Sequence, residues 1–310
     1  MTERNIKIWA TVALFAASII WGGSFVTMKD TLDSLSPAYL LAVRFLLASF
    51  VLFLLFIGKW KQFNKRYILP AVVLGAATSI AYLVQTYGLK YTTPGKNAFL
   101  TAIYCVIVPL LYWLTDKKKP DVYVFAAAVL CIAGIGLVSV KNEAGMFSIG
   151  IGEILTLISG VLYSFQIVLM GHYREGFVPG LLTALYLFFA SLFMWPVAVF
   201  VEHGVKPIDI GMLPDLLFLA VFASALALLF QYFGIKHCSP STSSLILALE
   251  SVFGIIFSFI AGMETDFTLR QGIGFFVVFI AIIVSETKLS FLSRKKASPD
   301  AEKTEESSDE

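Results

Sequence analysis

Charge is what this chain of 310 residues has least of: 14% of its positions are Asp, Glu, Lys or Arg, against about 25% in a soluble domain. A surface so poor in charge cannot face water all round. With 58% hydrophobic residues and a mean hydropathy of +0.83, the solvent it calls for is a lipid bilayer. Histidine and cysteine are scarce too, at three each. His172, His203 and His237 fall at the ends of apolar runs and form no H-E-x-x-H, so metalloenzyme chemistry loses its support. Cys105, Cys131 and Cys238 lie in or beside apolar segments without metal-ligand spacing and read as small hydrophobes. Gly95-Lys96 lacks both the first glycine and the hydroxyl residue of a G-x-x-x-x-G-K-[ST] loop, so ATP-driven transport by this chain loses support, and no cofactor is expected. No basic cluster is interleaved with aromatics, so a nucleic-acid partner is not indicated.

What the chain does have is long apolar runs. Ten segments are long enough for roughly 30 Å of hydrocarbon at about 20 residues each. They lie at Ile8–Val26, Pro37–Ile57, Tyr67–Leu89, Asn97–Leu114, Val122–Val140, Ile149–Met170, Gly180–Val201, Leu213–Ile235, Ser241–Gly262 and Gly272–Ser285. The first, preceded by Arg4 and Lys7, has the look of a signal peptide, but nine spans behind it favour an uncleaved helix.

The segments repeat. Gln85 to Tyr104 returns, altered, 146 residues later from Gln231 to Glu250. Gln85 meets Gln231, Gly88 meets Gly234, Lys90 meets Lys236, Pro94 meets Pro240 and Ala102 meets Ala248. A helix does not run unperturbed through such a proline, so each copy predicts two helices joined by a tight turn. At an offset of 142, Trp21 meets Tyr163, Met28 meets Met170, Pro37 meets Pro179, and Ala48-Ser49 meets Ala190-Ser191. The chain is thus a duplication of about 140 residues.

Lys and Arg in the connections set the orientation. With the N-terminus inside, sixteen of the 23 basic residues lie on the inner face and six on the outer, Arg44 being within a span. Both termini are therefore expected in the cytoplasm. Five spans per half is an odd number, so the second copy enters the membrane from the opposite side. The expected fold is an all-α polytopic membrane protein, ten transmembrane helices as two inverted five-helix repeats. Its parts are residues 1–140, a linker at 141–148, residues 149–287, and a disordered tail at 288–310. Inverted repeats are the usual build of secondary transporters, with a substrate site near the midplane.

Arg44 and Glu250 lie deep within spans, each within about 5 Å of the midplane at 1.5 Å per residue. A charge there costs at least ~2.5 kcal/mol, so both must face the protein interior or a wet cavity. Glu250 reads as a protonatable coupling site or a counter-charge for a cationic group; the alternative is a buried pair with Arg44 that ties the halves together. Gln85, Gln166 and Gln231 must find partners in hydrocarbon, and helix-to-helix hydrogen bonding is the plain account of them. Trp21, Tyr82, Tyr104 and Tyr163 are mid-span aromatics, whose polar ends favour a central cavity over lipid. Gly22-Gly23 is expected to kink the first helix, and Gly134-x-Gly136 and Gly272-x-Gly274 suit close helix packing.

These residues resemble the EamA-type carriers of the drug/metabolite transporter superfamily. The resemblance rests on Trp21-Gly22-Gly23-Ser24-Phe25, Pro37 with Arg44-Phe45, Thr92 to Pro109, and Leu249-Glu250-Ser251-Val252-Phe253, and it spans residues 7–286. Ser251 stands where the family often has proline. The resemblance implies ATP-independent export or exchange of small metabolites, often amino acids, across a bacterial cytoplasmic membrane. It also implies a cavity lined by helices 1, 3, 4, 6, 8 and 9, on which Trp21, Tyr82, Gln85, Tyr104, Tyr163, Gln231 and Glu250 are the candidate substrate residues. The expected partners are thus a small-molecule substrate and the lipid bilayer, with proton coupling through Glu250 open. Uptake of a cationic or quaternary amine is the other carrier reading. A membrane enzyme or scaffold is a remote third, since only Arg44 and Glu250 would converge as polar chemistry.

Overall fold

The structure is a computed structural model that describes residues 2–117, 122–139, 150–263 and 268–287. The linker expected at 141–148 and the tail at 288–310 lie outside the described residues. Among the described residues, eight helices are long and apolar enough to cross a membrane: α1 (Glu3–Thr31), α2 (Pro37–Leu55), α3 (Lys65–Lys90), α4 (Pro94–Thr115), α6 (Ile151–His172), α7 (Pro179–Val201), α8 (Ile210–His237) and α9 (Pro240–Ile260). Two further apolar helices, α5 (Val122–Ser139) and α10 (Leu269–Thr287), complete five in each half.

The helix starts follow from the sequence. Pro37, Pro94, Pro179 and Pro240 each stand in the first turn, where proline's missing N–H costs nothing. Two of these starts carry matching side-chain caps: the Thr93 hydroxyl accepts from Lys96 N, and the Ser239 hydroxyl from Thr242 N. The predicted helix–turn–helix thus appears twice.

Polarity runs opposite to that of a soluble protein. Trp9, Phe50, Leu55, Phe200, Ile260 and Phe276 are exposed, while Ser18, Thr78, Asn97, Gln166 and Ser244 are buried. Exposed apolar side chains on every long helix are what a lipid solvent requires. Inside, hydroxyls return their hydrogen bonds to the helix, as Ser18 does to Phe15 O and Thr86 to Tyr82 O.

The packing obeys the repeat. α2 packs on α7, α4 on α9, and α5 on α10, each pair being its own image when the halves are exchanged. The other contacts come in exchanged pairs: α1 on α8 with α6 on α3, α1 on α9 with α6 on α4, and α2 on α8 with α7 on α3. Single atoms follow the same rule. The Ser49 hydroxyl donates to Ala184 O at 2.8 Å, and its counterpart Ser191 donates to Ala42 O, the counterpart carbonyl, at 2.7 Å. A pseudo-two-fold axis therefore runs through the α2–α7 contact.

One expectation is corrected. α1 runs unbroken through Gly22-Gly23. Gly22 serves a close approach instead: a Cβ there would lie 2.4 Å from Phe253 Cβ and 2.8 Å from Gly254 N on α9. The glycine removes bulk at a helix crossing; it does not loosen the helix. Gly134 does pack as expected, against Val278 and Gly274 O of α10.

Candidate functional site

Two helices are interrupted inside the membrane. α4 breaks at Ala102–Ile103 and α9 at Ala248–Leu249, the same place in the two repeats, with no glycine or proline at either break. Both breaks tighten into three-residue hydrogen bonds, such as Ile103 N to Leu100 O at 3.3 Å and Leu249 N to Ile246 O at 3.1 Å. The first residues of the resumed helices are Tyr104 and Glu250, which are repeat partners. Interrupted helices with resumed N-termini at membrane depth are the usual frame of a carrier's substrate site. Ser251, in place of proline, does not prevent the break; its hydroxyl donates to Ala248 O at 2.7 Å.

A narrow cavity opens beside these breaks. Its walls bring together Trp21 (α1), Arg44 (α2), Tyr82 and Gln85 (α3), Tyr104 (α4), Tyr163 (α6), Gln231 (α8) and Glu250 (α9). All eight candidates of the sequence reading meet there. The cavity is narrow between its walls, with room for little more than water in this conformation. Ser24, Phe25, Met28, Ile167, Leu228 and Leu247 also line it. Apolar side chains on mostly apolar helices gave no signal, although Ser24-Phe25 follow Trp21-Gly22-Gly23 directly, and Met28 with Met170 was already a repeat pair.

The two buried charges do not pair. Among the described residues the single ion pair is Arg174–Glu175, at 3.8 Å. Arg44, only 1% exposed, is held by neutral groups. Its Nε donates to Ser224 Oγ, Nη2 to Ala223 O at 3.2 Å, and Nη1 to Met28 Sδ at 3.3 Å. The guanidinium also sits 5.2 Å from the centre of the Tyr82 ring, a cation–π distance. Three of its five N–H groups are thus committed to the protein. Glu250 is 4% exposed. The Tyr104 hydroxyl is turned toward it but falls short of hydrogen-bond geometry, and is otherwise buried without a partner.

The remaining polar groups are committed to structure. Tyr163 donates to Gln85 Oε1 at 2.7 Å, and Gln85 Nε2 donates to Thr101 Oγ1 at 3.1 Å. Asn97 Nδ2 closes the net with Thr156 Oγ1 at 2.7 Å, joining α3, α4 and α6. Gln166 and Gln231 exchange long reciprocal amide bonds of 3.4 Å between α6 and α8. Trp21 Nε1 donates to Ala223 O at 2.8 Å, which anchors its ring in the wall. Tyr82 and Tyr163 meet edge to face at 5.3 Å. A buried guanidinium, a separate buried carboxyl group and five aromatic rings thus line one narrow space.

A profile of the EamA-like transporter family matches residues 8–140 and 150–287, which is nearly all of both halves. The chain belongs to the EamA-like transporter family. It is a membrane transporter and not an enzyme. Among relatives, an uncharacterized transporter of Archaeoglobus fulgidus is 30% identical over 278 residues, covering 90% of this chain and 86% of its own. The uncharacterized transporter YyaM of Bacillus subtilis is 27% identical over 296 residues, covering 91% and 94%. An S-adenosylmethionine/S-adenosylhomocysteine transporter of Chlamydia muridarum is 26% identical over 169 residues, covering 52% of this chain and 53% of its own. A solved crystal structure shares the fold with a TM-score of 0.71, over 93% of this chain and 99% of its own, at 15% identity.

Proposed function

We propose that this EamA-like transporter is a secondary carrier of small zwitterionic metabolites, amino acids or compounds that contain one. The observation that carries the reading is the unpaired state of Arg44 and Glu250 in one buried cavity. A buried charge without a counter-charge is costly, and a substrate ammonium at Glu250 with its carboxylate at Arg44 neutralises both at once. Trp21, Tyr82, Tyr104 and Tyr163 then face the substrate's side chain. The partial relative from Chlamydia muridarum, by its name, moves molecules that join an amino acid to an aromatic base, which fits such walls. The excess of basic residues on one face supports cytoplasmic termini and a cytoplasmic membrane, with export or exchange by alternating access as the mode.

The test is stabilisation of the purified protein against heat by L-amino acids, their methyl esters, their decarboxylated amines and quaternary ammonium compounds. A ligand that binds only the folded state raises the melting temperature. The zwitterions should stabilise and all three cationic sets should fail, each by the loss of the carboxylate's charge-assisted contact of about 1.5–3 kcal/mol, or roughly tenfold to a hundredfold in affinity. One observation favours a second reading: Arg44 is already partly committed to neutral acceptors, whereas Glu250 is not. Amines that bind as tightly as the amino acids would replace the zwitterion by a cation held on Glu250 and the aromatic rings.

A further inference from the structure

The middle of α8 is not an α-helix. From Phe218 to Leu226 it is π-helical, a widened turn with hydrogen bonds five residues apart, often found at functional sites. Ser224 records the change of spacing. Its hydroxyl donates to Leu219 O at 2.9 Å, five residues back. Elsewhere in the chain the same bond reaches three or four residues back, as in Thr31 to Thr27 O and Ser164 to Gly160 O. The Ser224 oxygen is then left to accept from Arg44 Nε. The preceding carbonyl, Ala223 O, takes Arg44 Nη2 and Trp21 Nε1 together. Two consecutive residues of one widened turn therefore hold the cation delivered by α2 and the indole delivered by α1.

We propose that Ser224 is a positioning residue for Arg44, and that the π-helical stretch of α8 exists to place it. The proposal rests on the reading of Arg44 as the end of the site that receives an anionic group. One residue of α-helical register is a turn of about 100°. Return of this stretch to α-helical spacing would rotate Ser224 and Ala223 O away from the guanidinium and free it. Ser224 thus fixes where the guanidinium of Arg44 stands and how its other N–H groups are aimed, and thereby the affinity for the substrate's negative end. It touches no substrate itself.

The test needs no ligand at first. Phenylglyoxal, an arginine-selective reagent, is applied to the full-length protein in detergent, and its rate at Arg44 is measured by mass spectrometry relative to exposed Arg66. Ser224→Ala should raise the Arg44 rate about tenfold, and Ser224→Thr, which keeps the hydroxyl, should restore it. Ser191→Ala, which removes a different bond to α2, should leave it near wild type. Should Ser224→Ala fail to fold, Ser224→Cys gives the same comparison with a weak acceptor. An unchanged rate in Ser224→Ala, or an equal rise in Ser191→Ala, overturns the positioning role. L-methionine and 3-(methylthio)propylamine then serve as probes. Ser224→Ala should weaken methionine binding about tenfold and spare the amine. Equal loss of both would overturn the assignment to the anionic end. Wild-type protein that binds neither would count against the zwitterion reading, while the labelling rates still decide the role of Ser224.

Discussion

Two adjacent glycines of α1 should respond to the same substitution in opposite directions. At Gly22 a methyl group would meet Phe253 Cβ at 2.4 Å, Gly254 N at 2.8 Å and Phe253 C at 2.9 Å. Two of these are backbone atoms of α9 and cannot rotate away. Restoring ordinary contact means parting α1 from α9 by about 1 Å along a crossing that lines the cavity. Overpacking of this kind costs about 1–3 kcal/mol. At Gly23 the nearest atoms are those of the flexible Phe257 ring, at 3.6 Å, an ordinary contact. There alanine fits without a clash, and removal of a mid-helix glycine is worth up to about 1 kcal/mol. In a thermal unfolding assay of the detergent-purified protein, Gly22→Ala should lower the melting temperature by several degrees, and Gly23→Ala should leave it unchanged or raise it. Transport should fall in the first variant only. Equal behaviour of the two would refute close packing as the reason for Gly22 and return the pair to the role of a flexible joint.

Other outcomes follow from single contacts. Ser49→Ala and Ser191→Ala remove symmetry-related bonds between α2 and α7, so each should cost a similar ~0.6 kcal/mol; a difference of several-fold in thermal unfolding would mean the axis is not where these bonds place it. The carboxylate of Glu202, just past α7, accepts Ala38 N at 3.0 Å from both oxygens and the Tyr87 hydroxyl as well. Glu202→Gln should weaken this tie by about 1–2 kcal/mol, and hydrogen exchange at the start of α2 should quicken. If Glu250 carries a coupled proton as well as the substrate's ammonium, Glu250→Gln in proteoliposomes should abolish uptake driven by a pH gradient and retain exchange only at roughly tenfold to hundredfold higher substrate; gradient-driven uptake that persists removes the coupling role.

The spans and the duplication were legible because both rest on physics that leaves a mark at single positions. Apolar length is counted directly, and Pro94 with Pro240 marks helix starts that no other residue marks as well. Arg44 and Glu250 were placed by depth alone, and the mid-span aromatics by the need of a polar ring atom for a partner. The breaks in α4 and α9 left no such mark. They arise at Ala102–Ile103 and Ala248–Leu249, residues at home in any helix. The widened turn of α8 is equally silent, since Phe218–Leu226 reads as ordinary apolar helix. For the same reason the partner of Arg44 was out of reach. A guanidinium in a span suggests a carboxylate, and what meets it is a serine hydroxyl and a backbone carbonyl brought there by helix register.

The self-image of the α2–α7 contact has a mechanical corollary. In a molecule whose two halves trade shapes during a cycle, any contact that the axis maps onto another must become its opposite number. What α1 makes with α8 becomes what α6 makes with α3. A contact that maps onto itself has nothing to become. Under the alternating access proposed above, the paired bonds of Ser49 and Ser191 would stay made through the whole stroke, and the fulcrum would need no hinge sequence and no glycine. It is fixed by where the axis passes, and its wear would fall equally on both halves.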